Sequence, residues 1–147
     1  MPLTVHFWLP LPPGINNQYV QVARRRVLSR ESRAFKKRAI ARIQQLQFEG
    51  AIPETFVTVA RQSYLSLFLD FYFETPLRRD LDGGLKITQD AICEALGLND
   101  NRVVDIHLVK RIDPSRPRVE VQLEALPDWQ FDGEYIYLGP GQGSSRD

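Results

Sequence analysis

Between Arg78 and Asp105 the chain reads Arg-Arg-Asp-Leu-Asp-Gly-Gly-Leu-Lys-Ile-Thr-Gln-Asp-Ala and closes on Asn-Asp-Asn-Arg-Val-Val-Asp. The side chains here that could do chemistry are Asp80, Asp82, Asp90 and Asp100, with Lys86 among them. Asp82, Lys86 and Asp90 follow one another at steps of four, which places them on one stripe of a helix. Asp80 sits at or just before that helix, and Asp100 falls in the turn after it, where the chain can fold back. Grouped carboxylates suit a hard divalent cation such as Mg²⁺, which takes oxygen ligands and keeps waters for a phosphate to displace. An ion so held orients water for attack and neutralises charge on a phosphodiester oxygen, and a nearby lysine adds to that neutralisation. The same spacing has a plainer reading. Asp80 serves as an N-cap, Asp82 favours the helix dipole, and Asp82 with Lys86 forms an ordinary exposed ion pair.

A second feature is charge. The formal net charge is only +1, yet between Arg24 and Arg42 nine basic residues face a single acid, Glu31, whereas from Glu120 onward six acids face one base. Arg24, Arg25 and Arg26, then Arg30, Arg33, Lys36, Lys37 and Arg38 on the polar side of the following helix, are spaced to follow a phosphate backbone. Asn16 and Asn17, just ahead of this run, are candidates to position a substrate phosphate, and Arg78 and Arg79 flank the acids. No base-reading motif accompanies these residues, so the expected recognition is of backbone and shape. The plainer reading is a solvated face and a turn.

These side chains need elements to hold them. At 147 residues and 16.9 kDa the chain has room for one domain that buries roughly 70% of its unfolded surface. Hydrophobic residues at 43% and charged residues at 25% are ordinary for a folded protein. No apolar run approaches the roughly 18 residues of a membrane span, and Met1-Pro2-Leu3-Thr4 lacks the basic flank of a secretory signal; a cytoplasmic location is expected. One cysteine, Cys93, and two histidines, His6 and His107, offer no structural-zinc spacing. Cys93 reads as a small buried hydrophobe.

Leu3 to Leu9 alternate apolar and polar, as a strand does. Leu11 to Gln18 read as a shaped loop, rich in residues that cannot continue a sheet. Ser29 is a fair N-cap, and Phe35, Ala39, Ile43 and Leu46 give the next helix one apolar face, ending near Gly50. A β-rich stretch is expected from about Phe56 to Glu74, apolar on both sides and hence central in its sheet. A second helix is expected from about Leu81 to Leu96, closed by Gly97, followed by strands near Val103 to Arg111 and Arg118 to Leu126 with Pro114 to Pro117 as the turn between them. The order β-α-β-β-α-β-β predicts an α+β domain over residues 1–126, two helices packed on one mixed sheet. Residues 127–147 form an aromatic and acidic extension whose first half is expected to dock and whose last eight residues are expected to be mobile.

Taken together, Leu-Pro-Leu-Pro-Pro at 9–13 with Asn-Asn following, the arginine-rich stretch ending at Leu28-Ser29, Arg-Arg-Asp-Leu-Asp at 78–82, Lys86, Asp90-Ala91 and Asn-Asp-Asn-Arg-Val-Val-Asp at 99–105 resemble the RusA-type Holliday junction resolvases. The resemblance covers about residues 3 to 125. It implies a RusA-like fold and a small homodimer that binds four-way DNA junctions by structure and cuts two opposed strands with Mg²⁺, for which Mn²⁺ substitutes, and with no small-molecule cofactor. It assigns the family's acids to Asp80, Asp82 and Asp100, its essential lysine to Lys86 and a further helix acid to Asp90. Gly83 and Gly84 stand where the family usually has an asparagine after Asp-Leu-Asp. That difference keeps one alternative in play, a non-catalytic DNA-binding dimer; a more remote one is an RNA-directed nuclease, because clustered carboxylates and arginines do not distinguish the sugar.

Overall fold

A computed structural model describes residues 3–14, 18–77, 79–136 and 139. Strand β1 (Thr4–Leu9) leads into the proline-rich loop, and a short hairpin follows, β2 (Tyr19–Val22) with β3 (Arg25–Leu28). Helix α1 (Arg30–Glu49) and helix α2 (Glu54–Arg61) precede strand β4 (Tyr64–Phe73). A 3₁₀ turn (Leu81–Gly84) runs into helix α3 (Leu85–Leu96), and a second 3₁₀ turn (Asp100–Arg102) delivers the chain to β5 (Val103–Ile112) and β6 (Arg118–Leu126).

The main sheet has the order β1-β6-β4-β5, with β4 and β5 parallel and the other pairs antiparallel. It is therefore mixed, and β4 is central as its two-sided apolar pattern requires. Successive side chains alternate between the sheet's faces. Leu65, Leu67, Leu69, Phe71 and Phe73 of β4 are buried in one core with the apolar faces of all three helices. Tyr64, Phe68, Asp70 and Tyr72 lie on the opposite, half-exposed face.

Helix α1 follows its sequence pattern. Ser29 Oγ accepts from Ser32 N at 3.1 Å, Gly50 caps the far end at φ 87°, and Phe35, Ala39, Ile43 and Leu46 face inward. Helix α3 ends at Gly97, also left-handed at φ 68°.

Three expectations change. The stretch from Phe56 does not begin as a strand: Glu54–Arg61 is helix α2, which starts after Pro53 and buries Phe56, Val57 and Ala60. The β-branched Val57, Thr58 and Val59 favour a strand locally, but an apolar face spaced one and four residues apart fits a helix against the core, and packing decides. Second, the arginine run is preceded and partly occupied by the β2–β3 hairpin, whose two-residue turn puts Ala23 at φ 50° and Arg24 at φ 66°. Such a turn usually announces itself by Asn-Gly or Asp-Gly, and Val-Ala-Arg-Arg carries no such signal. Third, β5 and β6 are not neighbours. The turn at 113–116 carries the chain past the end of β4, tied there by Asp113 N donating to Phe73 O at 2.8 Å. The domain thus holds three helices and six strands among the described residues, still α+β.

Of the extension, residues 127–136 are exposed, and two of its aromatic rings make contacts. The Phe131 ring meets Tyr64 edge-on at 5.2 Å and Trp129 at 6.1 Å. The last eight residues lie outside the described set, and among the described residues no helix is long and apolar enough to cross a membrane.

Candidate active site and nucleic-acid interface

The α-helix carrying Lys86 begins at Leu85, one turn later than the spacing predicts, and Asp82 belongs to the 3₁₀ turn ahead of it. Two consecutive glycines explain the delay, since each disfavours regular helix by about 1 kcal/mol relative to alanine. Gly84 has a further reason to be there. A Cβ at this position would stand 2.6 Å from Pro12 Cγ and 3.1 Å from Phe71 Cε1. The proline loop after β1 is thus laid directly over the acidic turn, and only glycine leaves room for it. Gly84→Ala should lower stability by about 1–3 kcal/mol through overpacking, read as a drop in the urea midpoint. An unchanged midpoint would mean that the loop moves aside freely.

Asp80 and Asp82 are both exposed. Asp80 starts the 3₁₀ turn with extended backbone, φ −80° and ψ 145°, but its carboxylate makes no capping hydrogen bond; its main-chain oxygen accepts from Gly83 N at 3.2 Å. Asp82 does not pair with Lys86. The ammonium turns the other way, donating to Asp90 Oδ1 at 2.7 Å and standing 3.8 Å from Asp100 Oδ2. The plainer roles of cap and ion pair are therefore not the ones Asp80 and Asp82 play, and among the described residues neither carboxylate has a hydrogen-bond or ion-pair partner.

Lys86, Asp90 and Asp100 form one group, held where the 3₁₀ turn Asp100–Arg102 packs back on α3. The hydrogen bond to Asp90 and the negative charge of Asp90 and Asp100 push the lysine's pKa above its ordinary value, so it is cationic throughout the physiological range. The turn bearing Asp82 packs on the same helix and on β5. Cys93 is the buried residue expected from the sequence. Its thiol is pushed up to about 11, mainly by burial and then by the charges of Asp100 and Asp90, so it stays protonated.

The acids supply the right donor chemistry for a hard cation. In the described residues, however, no three of them converge into a set that could coordinate one ion together. The structure joins Asp90 and Asp100 through Lys86 and leaves Asp80 and Asp82 as a separate pair on the preceding turn. The chemistry fits a divalent cation; the assembled coordination shell is not formed.

Several side chains that sequence reasoning passed over hold this turn. Lys110 of β5 donates to the main-chain oxygens of Pro76 and Arg79, both at 2.9 Å, and so pins the loop leading to Asp80. Buried Gln18 donates to Gly83 O at 2.6 Å. Nothing in the sequence marks either residue, because each acts on a carbonyl far away in the chain.

The basic residues divide into two groups. Arg24, Arg25 and Arg30 are exposed at the hairpin and the start of α1, and Lys37 lies on the outer face of that helix. Arg26 stacks over Tyr19 at 4.4 Å, and Arg33 donates to Leu28 O at 2.6 Å, so both brace the hairpin root. Lys36 is engaged by Glu94 of α3 at 2.9 Å. The Arg79 guanidinium donates to Pro12 O at 2.7 Å over the Phe73 ring, and burial lowers its pKa. Lys36 and Arg79, expected at the DNA surface, thus already have structural partners. Asn16, Asn17 and Arg78 lie outside the described residues.

A family model for the RusA endodeoxyribonuclease matches residues 10–124. The chain belongs to the RusA endodeoxyribonuclease family. A comparison with curated proteins finds no match. The RusA match begins in the proline loop, takes in the hairpin, the acidic turn and α3, and stops two residues before the end of β6. DNA is accordingly the substrate class and phosphodiester cleavage the class of reaction for this family, and the extension from Pro127 lies outside the matched segment.

Proposed function

We propose that this protein is a Mg²⁺-dependent, structure-selective endonuclease that resolves four-way DNA junctions by paired phosphodiester hydrolysis. The observation that carries the reading is the pair Asp80 and Asp82, two exposed carboxylates without partners among the described residues, one turn ahead of a cationic lysine, in a RusA family chain. Structural acids on helix ends are normally spent on caps or ion pairs; these are not.

Asp80, Asp82 and Asp100 are the residues that would hold the ion, with Mn²⁺ able to replace Mg²⁺, and since they do not converge among the described residues they would have to be drawn together to do so. Bound there, the cation would orient water and neutralise the reacting phosphate. Lys86, with its hydrogen bond to Asp90, would present a fixed ammonium to a non-bridging phosphate oxygen, and Asp90 would orient it. The exposed arginines of the hairpin and of the α1 N-terminus would grip the backbone. A two-fold homodimer would present one such site to each of two opposed strands, as symmetry requires for paired cuts. Residues 1–126 would form the nuclease domain, and the protein would act in DNA recombination and repair in the cytoplasm.

The deciding experiment offers four-way junction, linear duplex DNA and structured RNA in Mg²⁺ and in EDTA. Symmetrically related nicks in the junction, in Mg²⁺ only, are the expected outcome, with a dimeric mass in solution. Tight junction binding without metal-dependent product would instead identify a DNA-binding protein that has lost the reaction, and preferential cutting of RNA would overturn the substrate.

A further inference from the structure

Gln18 is 1% exposed, an unusual place for an amide. Its Nε2 donates to Pro13 O at 3.0 Å and to Gly83 O at 2.6 Å, a contact between residues 65 positions apart. Both partners are carbonyl oxygens, so the NH₂ end of the amide must face them. The main-chain oxygen of the same residue accepts from Ser29 N at 2.8 Å and from the buried Ser32 Oγ at 2.9 Å. One residue therefore touches the proline loop, the turn that carries Asp82, and the first turn of the basic helix. The next residue, Tyr19, opens the basic hairpin.

We propose that Gln18 is a positioning residue that sets Asp82 in register with the root of the basic hairpin, so that a phosphate gripped by the arginines is delivered to the carboxylates. The proposal rests on the nuclease reading above. A side chain that orients a reacting group through a carbonyl works by narrowing that group's placement, and loss of such support typically costs 10–100-fold in activity. Gly83 needs this support more than most residues would, because a glycine pair has no side chains of its own to hold the turn.

The test replaces Gln18 by leucine, which keeps the volume and removes both donors, and by glutamate, which can donate only when protonated. Well below the melting temperature, Gln18→Leu should slow single-turnover junction cleavage about 10–100-fold with junction affinity changed less than about threefold. In Gln18→Glu the rate relative to wild type should recover as pH falls and the buried carboxyl gains its proton. Amide hydrogen exchange at 81–84 should quicken at least about tenfold in Gln18→Leu while β4 amides stay unchanged. Unchanged cleavage with only a lower melting temperature, or unaltered exchange at 81–84, would overturn the proposal. If the wild-type protein cuts no junction, the nuclease reading falls, and the exchange measurement alone decides whether Gln18 holds the turn.

Discussion

Asp82→Asn is expected to lower junction cleavage in Mg²⁺ by about 10²–10³-fold, the order of loss that follows removal of one charge-stabilising group from a reacting centre. Affinity for the junction should stay within about threefold of wild type. The asymmetry follows from geometry. Asp82 is exposed and without a partner among the described residues, so the isosteric amide leaves no buried group unsatisfied and breaks no ion pair. What it removes is one negative charge, and with it most of the side chain's attraction for a hard cation. Single-turnover cleavage and a binding titration in EDTA separate the two effects. Undiminished cutting by this variant would remove Asp82 from the reaction and, with it, the reason for regarding the 3₁₀ turn as the reacting centre.

The converse variant replaces Arg24, Arg25 and Arg30 together by alanine. Here affinity should fall by about 10–100-fold at low salt, with the log-log salt dependence flattened by as much as about 2.7, or about 0.9 for each phosphate no longer neutralised. The rate from saturated complex should change far less. Lys36→Ala is the internal control: its ammonium is already taken by Glu94 at 2.9 Å, so its loss should scarcely alter the slope. A salt dependence unchanged in the triple variant would show that the hairpin and the start of α1 do not meet DNA.

How far the sequence could be read depended on whether the deciding interaction was local. The face of α1, the caps at Ser29, Gly50 and Gly97, and the central place of β4 were all legible, since periodicity and capping act within one or two turns. Helix α2 was not, because the strand preference of Val57-Thr58-Val59 is overridden by where Phe56 and Ala60 can be buried. The hairpin was hidden because its turn uses Ala23 and Arg24 at positive φ instead of glycine or asparagine. At the candidate site, the types and order of the acids and lysine singled out one stretch of chain, but the ion-pair partner did not follow from spacing. Asp82 and Asp90 are equally placed four residues on either side of Lys86; the late start of α3 and the return of Asp100 favour Asp90. Gln18 and Lys110 were beyond reach because each is defined by a distant carbonyl.

The β2–β3 hairpin pairs with no strand of the main sheet, and its turn is held by two non-glycine residues in the left-handed region. Each such residue costs about 1–2 kcal/mol, and a lone two-stranded ribbon is marginal in water. Opening of the hairpin tip is therefore expected to take less free energy than melting of the sheet, while its root stays tied to α1 through Gln18 and Ser29. Docking on a polyanion would quench that fluctuation, so part of the discrimination among DNA shapes would lie in how completely each one stills the arm.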